Sequence, residues 1–459
     1  MKKRTDNINI FFDTCKMQGI DVALRKAFFS IWPFYSVPFV FQSKLIQQKY
    51  ITSKPMDLFD FRCISNDQAK NKIIVNIAFR FHDPKSGGNG GPNGVVSTLE
   101  KCFGEEYEGS KMIYIYQNRV KYPDKLIKMF KKKKLNRIAV LCIEAIYYTN
   151  YCLNIWSLED NKTEIVMVCH DVGSAYAAYL RRKKYFLVVH TQGCLTHERR
   201  SYGEKLTEED IKMFKHFEDI AFKNANKVFF VSKGAEKAFF DTSDINKKDV
   251  NLSSYPVYNT VNELSDKPNM KLPFVLPNKT DYDVFLSIGD WSYNKGLDQI
   301  PMFLNEFAKY SKKKVLWIAV GSRHDTGIYA NMLDQKGTWS FESILIGRRI
   351  PHAKIAILTK YADYYIMFHR LSIFDLSTLE AMRDGCGLVL SRVYGNVDFN
   401  KANNVFYVKM DSIEESAKKL ADCDKEELKN LNQKVFRRYF SYNNFKKTYG
   451  DLFKELVSC

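Results

Sequence analysis

The chain contains no Cys-x-x-Cys pair, no zinc-finger spacing, no RNP-like Gly/Phe signature and no Arg/Gly repeat. Its cysteines stand singly at 15, 63, 102, 142, 152, 169, 194, 386, 423 and 459, a scatter that fits reduced thiols better than a disulfide or metal framework. The same absences argue against a nucleic-acid-binding module. Also missing is an apolar run able to cross a bilayer. The most apolar early stretch, Ala27 to Phe41 (AFFSIWPFYSVPFVF), is broken by Pro33 and Pro38 and falls short of the roughly 20 residues a spanning helix needs. It either packs against a domain or lies in a membrane interface. The opening MKKRTDNINIFFDTCK is basic, but its apolar run is short and is followed by Asp13 and Lys16. No secretory signal is expected from it, and the expected location is the cytoplasm. Acidic residues are in deficit, 52 against 70 Lys and Arg, for a net charge of +18. Such a balance favours a polyanionic neighbour: nucleic acid, an anionic leaflet or a phosphorylated substrate. Without nucleic-acid signatures, lipid or phosphate is the expected one.

What is present is globular. With 459 residues, 45% hydrophobic and 27% charged, the chain exceeds what one core usually organises, so two domains are expected. Lys72-Ile-Ile-Val-Asn-Ile-Ala-Phe79 reads as a first buried strand, which makes residues 1–70 an extension. Short apolar runs then alternate with longer amphipathic stretches: Lys111–Tyr116, Ile138–Cys142, Ile165–Cys169, Tyr185–Val189 and Lys227–Val231. After a Pro-, Asn- and Lys-rich interval from Asn259 to Asp283, the rhythm restarts. Its second set is Val284–Ile288, Val315–Val320, Ser343–Ile346, Tyr364–Phe368, Gly387–Leu390 and Val405–Tyr407. Strand-helix alternation of this kind predicts an α/β fold: two doubly wound, Rossmann-like halves facing a central cleft. The expected division is 71–262 and 263–435, with a C-terminal helix, 436–459, completing the first domain. Ligands of such sheets sit beyond the carboxyl ends of the strands.

Three constellations fall at such places. Ser287-Ile-Gly-Asp-Trp-Ser-Tyr-Asn-Lys-Gly296 is a strand running into a glycine turn and a helix start carrying Lys295, an arrangement suited to a diphosphate. Tyr361 to Ser391 (YADYYIMFHRLSIFDLSTLEAMRDGCGLVLS) is a buried strand, a polar loop and a helix with Glu380 among Leu376, Leu379, Ala381 and Met382. A carboxylate in that setting is costly unless paired or ligand-bound, and one facing a cleft can accept two ribose hydroxyls. Gly87-Gly-Asn-Gly-Gly-Pro-Asn-Gly94 follows the first strand and, through residues such as Gly91 and Gly94, permits close backbone approach to a ligand. No Lys-Ser/Thr follows Gly94, so a Walker loop is excluded. No Asp-x-Asp ends a strand, and no metal is expected.

Taken together, the first and second of these segments resemble glycosyltransferase family 4, whose donor pocket carries G-R-x4-K-G followed by A-D-x4-P-S-x2-E-x-F-G-x4-E-A-M. The matching residues are Gly289, Lys295 and Gly296, then Ala362, Asp363, Phe374, Glu380, Ala381 and Met382. Val168-Cys-His-Asp-Val-Gly-Ser-Ala and Val188-Val-His-Thr-Gln-Gly193 each end a strand with a histidine, as family members do. Asn226-Lys-Val-Phe-Phe-Val-Ser232, Val257-Tyr-Asn-Thr-Val261 and Tyr439-Phe-Ser-Tyr442 resemble further family elements, the last being the helix that crosses back to the first domain. The resemblance implies the GT-B fold and a retaining transfer from a nucleotide diphosphate sugar, UDP-linked by preference, without an obligatory cofactor. It implies that His190 positions the sugar, Lys295 the phosphates and Glu380 the ribose, with Ser372, Ile373, Phe374 and Leu376 lining the donor pocket. A glycan, polyprenyl-linked or protein acceptor would follow, in bacterial surface polysaccharide synthesis by analogy.

The departures are specific. Asp290 stands where the family has arginine and would repel a diphosphate if it pointed there, so Lys295 would need help from Arg323, Arg348 or Arg349. Ser372 stands at the first glutamate of the family's E-x7-E pair, and Asp375 at its glycine, from where Asp375 would supply the missing carboxylate. These changes motivate a rival, a catalytically silent GT-B subunit supporting a partner enzyme; a sugar-nucleotide epimerase is a second. Asn118–Arg137 (NRVKYPDKLIKMFKKKKLNR) reads either as a solvated basic face or as a helix lying on the anionic inner leaflet of the plasma membrane.

Overall fold

Both sets of apolar runs become parallel sheets in the computed structural model, which describes residues 72–78, 92–116, 136–146, 149, 164–261, 271–323 and 325–458. The first sheet holds β1 (Lys72–Ala78), β2 (Glu106–Tyr107), β3 (Ser110–Tyr116), β4 (Glu164–Cys169), β5 (Tyr185–Val189) and β6 (Lys227–Phe230) in the order β2-β3-β1-β4-β5-β6. All pairings are parallel except that of β2 with β3. The second sheet holds β7 (Tyr282–Ile288), β8 (Lys314–Val320), β9 (Glu342–Ile346), β10 (Tyr364–Met367), β11 (Gly387–Ser391) and β12 (Val405–Val408) in the order β12-β11-β10-β7-β8-β9. Here the chain steps outward from β7 to β9, then crosses back to β10 on the other side of β7. The crevice between β7 and β10 is therefore the topological switch point.

Strands buried on both faces need helices on both faces, and the intervening segments supply them. They are α1 (Pro92–Phe103), α2 (Val172–Leu180), α3 (Leu195–Ser201), α4 (Glu208–Lys223), α5 (Lys233–Thr242), α6 (Ile300–Tyr310), α7 (Thr326–Gln335), α8 (His352–Tyr361), α9 (Leu376–Asp384), α10 (Ile413–Asp422), α11 (Lys425–Val435) and α12 (Tyr442–Ser458). A further helical stretch covers 137–146. The Ile138–Cys142 run expected to alternate as a strand lies in that helix. Its flanking residues Ile143, Ala145 and Ile146 are buried too, and a helix that is apolar all round cannot be told from a strand by periodicity.

The last helix belongs to the first sheet. Phe445, Tyr449, Leu452, Phe453 and Leu456 recur at helical spacing, and all are buried in one cluster with Val95 and Leu99 of α1, Ile74 of β1 and Val188 of β5. Burial of each such side chain contributes about 1.5–3 kcal/mol. Where the two halves meet, they touch backbone to backbone. An added Cβ on Gly234, at the start of α5, would lie 2.1 Å from the Tyr394 carbonyl carbon and 2.2 Å from the Gly395 nitrogen. Asp398 closes the same contact, accepting from the amides of Lys233 (3.2 Å) and Gly234 (2.8 Å) and from the Tyr258 hydroxyl (3.0 Å).

Residues 1–70, the Ala27–Phe41 stretch, Gly91 and most of the basic 118–137 segment lie outside the described residues. Among the described residues no helix is long and apolar enough to cross a membrane.

Candidate functional site

The loops after β7 and β10 meet at the switch point. After β7 the chain turns at Gly289 and forms a 3-10 turn, Tyr293–Lys295, ending on Gly296 with φ +64. A Cβ on Gly296 would sit 1.8 Å from the Phe368 carbonyl oxygen, so only glycine fits both the left-handed backbone and the close approach of the two loops. Gly289 lies against Lys295, whose Cδ would be 3.4 Å from an added Cβ. Lys295 thus reaches across the crevice, where its Nζ donates to both Asp375 oxygens at 2.8 Å.

Asp375 is the N-cap residue of α9, but its side chain makes no capping hydrogen bond. By contrast Asp171, capping α2, accepts from the Ser174 amide at 2.8 Å. An aspartate at this place ordinarily satisfies the first amides of its helix. Asp375 instead turns to Lys295 and to Nε2 of His369, a wholly buried residue two positions past β10. Asn396 Nδ2 lies 3.3 Å from His369 Nδ1. With the Asn396 amide donating there, the imidazole proton sits on Nε2 and points at Asp375. Burial opposes ionisation of Asp375, yet the Lys295 ammonium and His369 outweigh it and hold the carboxyl well below the usual range. Burial also pushes His369 down, against the pull of Asp375. The site presents an ionised carboxylate, an ammonium and a helix N-terminus that its own N-cap side chain does not cap.

Glu380, one turn into α9, meets Nδ1 of His352 at 3.2 Å. Its side chain is 14% exposed, and that of His352 at the start of α8 is 55% exposed. The neighbouring Leu379, Ala381 and Met382 are buried. Asp290 is turned to the Ser322 hydroxyl and stands 3.9 Å from Arg349, which directs its charge away from Lys295. Arg323 lies over the Tyr329 ring and donates to the Gly347 carbonyl at 3.2 Å, while Arg348 is exposed. Ser372 is buried, with its hydroxyl unpartnered. Ile373 gives its carbonyl to Ser232 of the first domain. The Phe374 ring is turned into an aromatic cluster with Phe399 (4.3 Å), Tyr258 (5.0 Å) and Phe440 (5.3 Å). Leu376 reaches the first domain, its Cδ1 3.3 Å from a Cβ added at Gly94.

In the first domain His170 and His190 follow β4 and β5. His170 Nδ1 and His190 Nε2 are 3.0 Å apart, and both residues are buried. A small cavity beside them is lined by Leu141, Cys142, Asp171 and Thr191. Burial pushes His170 down to about 3. Among the described residues no three His, Cys, Asp or Glu side chains are grouped to hold a metal ion.

Sequence reasoning missed His369 and Asn396. The signal for His369 was one polar residue at the end of the apolar run Tyr364–Phe368; nothing local marked Asn396, which arrives from beyond β11.

No protein-family model and no curated protein sequence matches the chain significantly. Solved structures do. The sucrose-phosphate synthase of Thermosynechococcus elongatus is similar at 13% identity and TM-score 0.54, over 84% of this chain and 99% of that one. An α,α-trehalose-phosphate synthase (UDP-forming) from Burkholderia xenovorans, in complex with glucose-6-phosphate, gives 13% and 0.57, over 84% and 100%. An Escherichia coli trehalose-6-phosphate structure bound with UDP-2-fluoro glucose gives 13% and 0.55, over 84% and 98%. The chain has the GT-B fold. Two Rossmann-like sheets, a switch-point crevice in the second and a last helix packed on the first are the parts of it that place the residues above.

Proposed function

We propose that this protein is a glycosyltransferase moving a sugar from a nucleotide diphosphate sugar, UDP-linked by preference, to a glycan, polyprenyl-linked or protein acceptor. The observation that carries the reading is Lys295 at the mouth of α9, facing a helix N-terminus whose own capping carboxylate is drawn aside. A diphosphate leaving group needs such positive potential as charge develops on it, and the same loops are where the sequence resembles glycosyltransferase family 4. In this reading Lys295 and the first amides of α9 hold the diphosphate, Glu380 exchanges His352 for the ribose hydroxyls, and Asp375 supplies the carboxylate that Ser372 lacks. His190 positions the sugar from the opposite domain. Closure of the domains excludes water, whose attack would hydrolyse the donor. Retention, family 4 membership, surface-polysaccharide synthesis and residence at the inner face of the plasma membrane extend the same resemblance.

A second reading, the silent subunit, draws on a specific observation: Lys295 and Glu380 are each engaged by a side chain of the protein itself. The two part on turnover. Incubation with UDP-, GDP- and ADP-sugars, with release of nucleoside diphosphate and the anomeric configuration of the product followed by NMR, gives product of retained configuration under the main reading. Donor binding with no release, alone or with any simple acceptor, would favour the silent subunit.

A further inference from the structure

His170 is a residue the proposed chemistry leaves unused, and its setting is costly. It is 2% exposed, it follows a strand whose inward residues are hydrocarbon, and its Nε2 has no hydrogen-bond partner among the described residues. Asn76 of β1 and Tyr449 of α12 share this face of the sheet. Both are fully buried, and neither the Asn76 amide nor the Tyr449 hydroxyl has a hydrogen-bond partner among the described residues. Burying a polar group with so little return is unfavourable, and a leucine or phenylalanine would pack against α12 without that cost. Local rules broken in this way mark functional positions more often than structural ones.

What His170 does make is one directed contact, Nδ1 to His190 Nε2 at 3.0 Å, with the two rings stacked at 5.3 Å and 29°. On α12 the Tyr449 ring lies nearly parallel to His170, at 6.5 Å and 25°. Tyr449, His170 and His190 therefore form a row running from the returning C-terminal helix to the mouth of β5. Backbone geometry fixes the middle member, because the His170 amide donates to the Ile77 carbonyl at 2.8 Å.

We propose that His170 is a positioning residue for His190: its Nδ1 fixes the plane of the His190 ring and the nitrogen that carries its proton, so that His190 meets the donor sugar in one orientation. The inference rests on the glycosyl-transfer reading for what His190 touches, but not for the contact itself. Since burial holds His170 neutral, the pair shares one N–H between the facing nitrogens, and the tautomer of each ring dictates that of the other. Tyr449 holds the His170 ring flat from behind, which ties the orientation of His190 to the seating of α12.

Two variants separate positioning from packing. His170→Phe keeps an aromatic ring against Tyr449 and removes both nitrogens; His170→Asn places an amide atom where Nδ1 stood. Long-range 15N–1H spectra of histidine-labelled, ligand-free protein report the tautomer of His190. Wild type and His170→Asn are expected to show one tautomer, and His170→Phe a mixture. With a donor sugar, kcat of His170→Phe is expected to fall by about 30–100-fold, the size of effect a misplaced group produces, with KM for the donor within about threefold and His170→Asn restored to within about fivefold. An unchanged His190 spectrum in His170→Phe overturns the proposal, as does equal loss in both variants with unaltered melting temperatures. If no nucleotide sugar is turned over by the wild type, the function proposed above fails, and the spectra alone still decide the His170–His190 contact.

Discussion

Substituting Asp375→Asn removes one charge from the cluster at the mouth of α9 while keeping its volume. Lys295 and Asp375 are 18% and 17% exposed at the side chain, and their hydrogen bonds are 2.8 Å long. Removing one partner of a fully buried pair costs about 3–5 kcal/mol; with residual solvent access, about 2–3 kcal/mol is expected here. In a domain of this size that is a fall in melting temperature of about 5–10 °C, measurable by calorimetry. The pH dependence gives the sign. Asp375 has a depressed folded pKa, so its stabilisation is fully present above the unfolded value of about 3.9 and is lost as pH falls towards the folded one. The gap between wild type and variant is thus flat from pH 5 to 8 and narrows below about pH 4. Equal melting temperatures at pH 7, or a gap that widens on acidification, would refute the claim that Asp375 is an ionised partner of Lys295.

Other expectations follow from the same geometry. Asp375→Ala should abolish transfer in a donor-turnover assay while the protein still folds. Gly296→Ala forces a methyl group onto the Phe368 carbonyl and strains a left-handed backbone, so the urea midpoint should correspond to a loss of about 2–4 kcal/mol. Phe374→Ala should cost about 3–5 kcal/mol by opening the Tyr258–Phe399–Phe440 cluster between the domains, read as a lower denaturation midpoint. His170 has a folded pKa depressed to about 3, so the unfolded chain takes up its proton first and stability is lost from about pH 6.5 downward. His170→Asn should flatten that acid limb in a thermal-denaturation series.

Periodicity was enough to expect the two α/β halves, because doubly buried parallel strands read as short apolar runs bounded by turns. It misread Ile138–Cys142, where nearly every residue of a helix is buried and little polar face betrays the period, and the helix start expected at Lys295 is a 3-10 turn, α6 beginning at Ile300. Of the site, Lys295, Gly296 and Glu380 were legible because glycines and lone charges beside strand ends are visible locally. Asp290 and Phe374 were legible as residues but not as orientations: Ser322 and the Tyr258–Phe440 cluster, far away in sequence, decide where those side chains point. His369 and Asn396 were illegible for the same reason, since their pairing exists only once β10 and the segment after β11 lie side by side.

A nucleotide sugar held at the β7–β10 crevice is what the proposed function requires. Thermal shifts of wild type and Lys295→Ala with UDP-, GDP- and ADP-sugars, each read against its own ligand-free melting temperature, test it most directly. One donor should raise the wild-type melting temperature and leave that of Lys295→Ala unmoved. No shift with any donor, or a shift of equal size in both proteins, would contradict it.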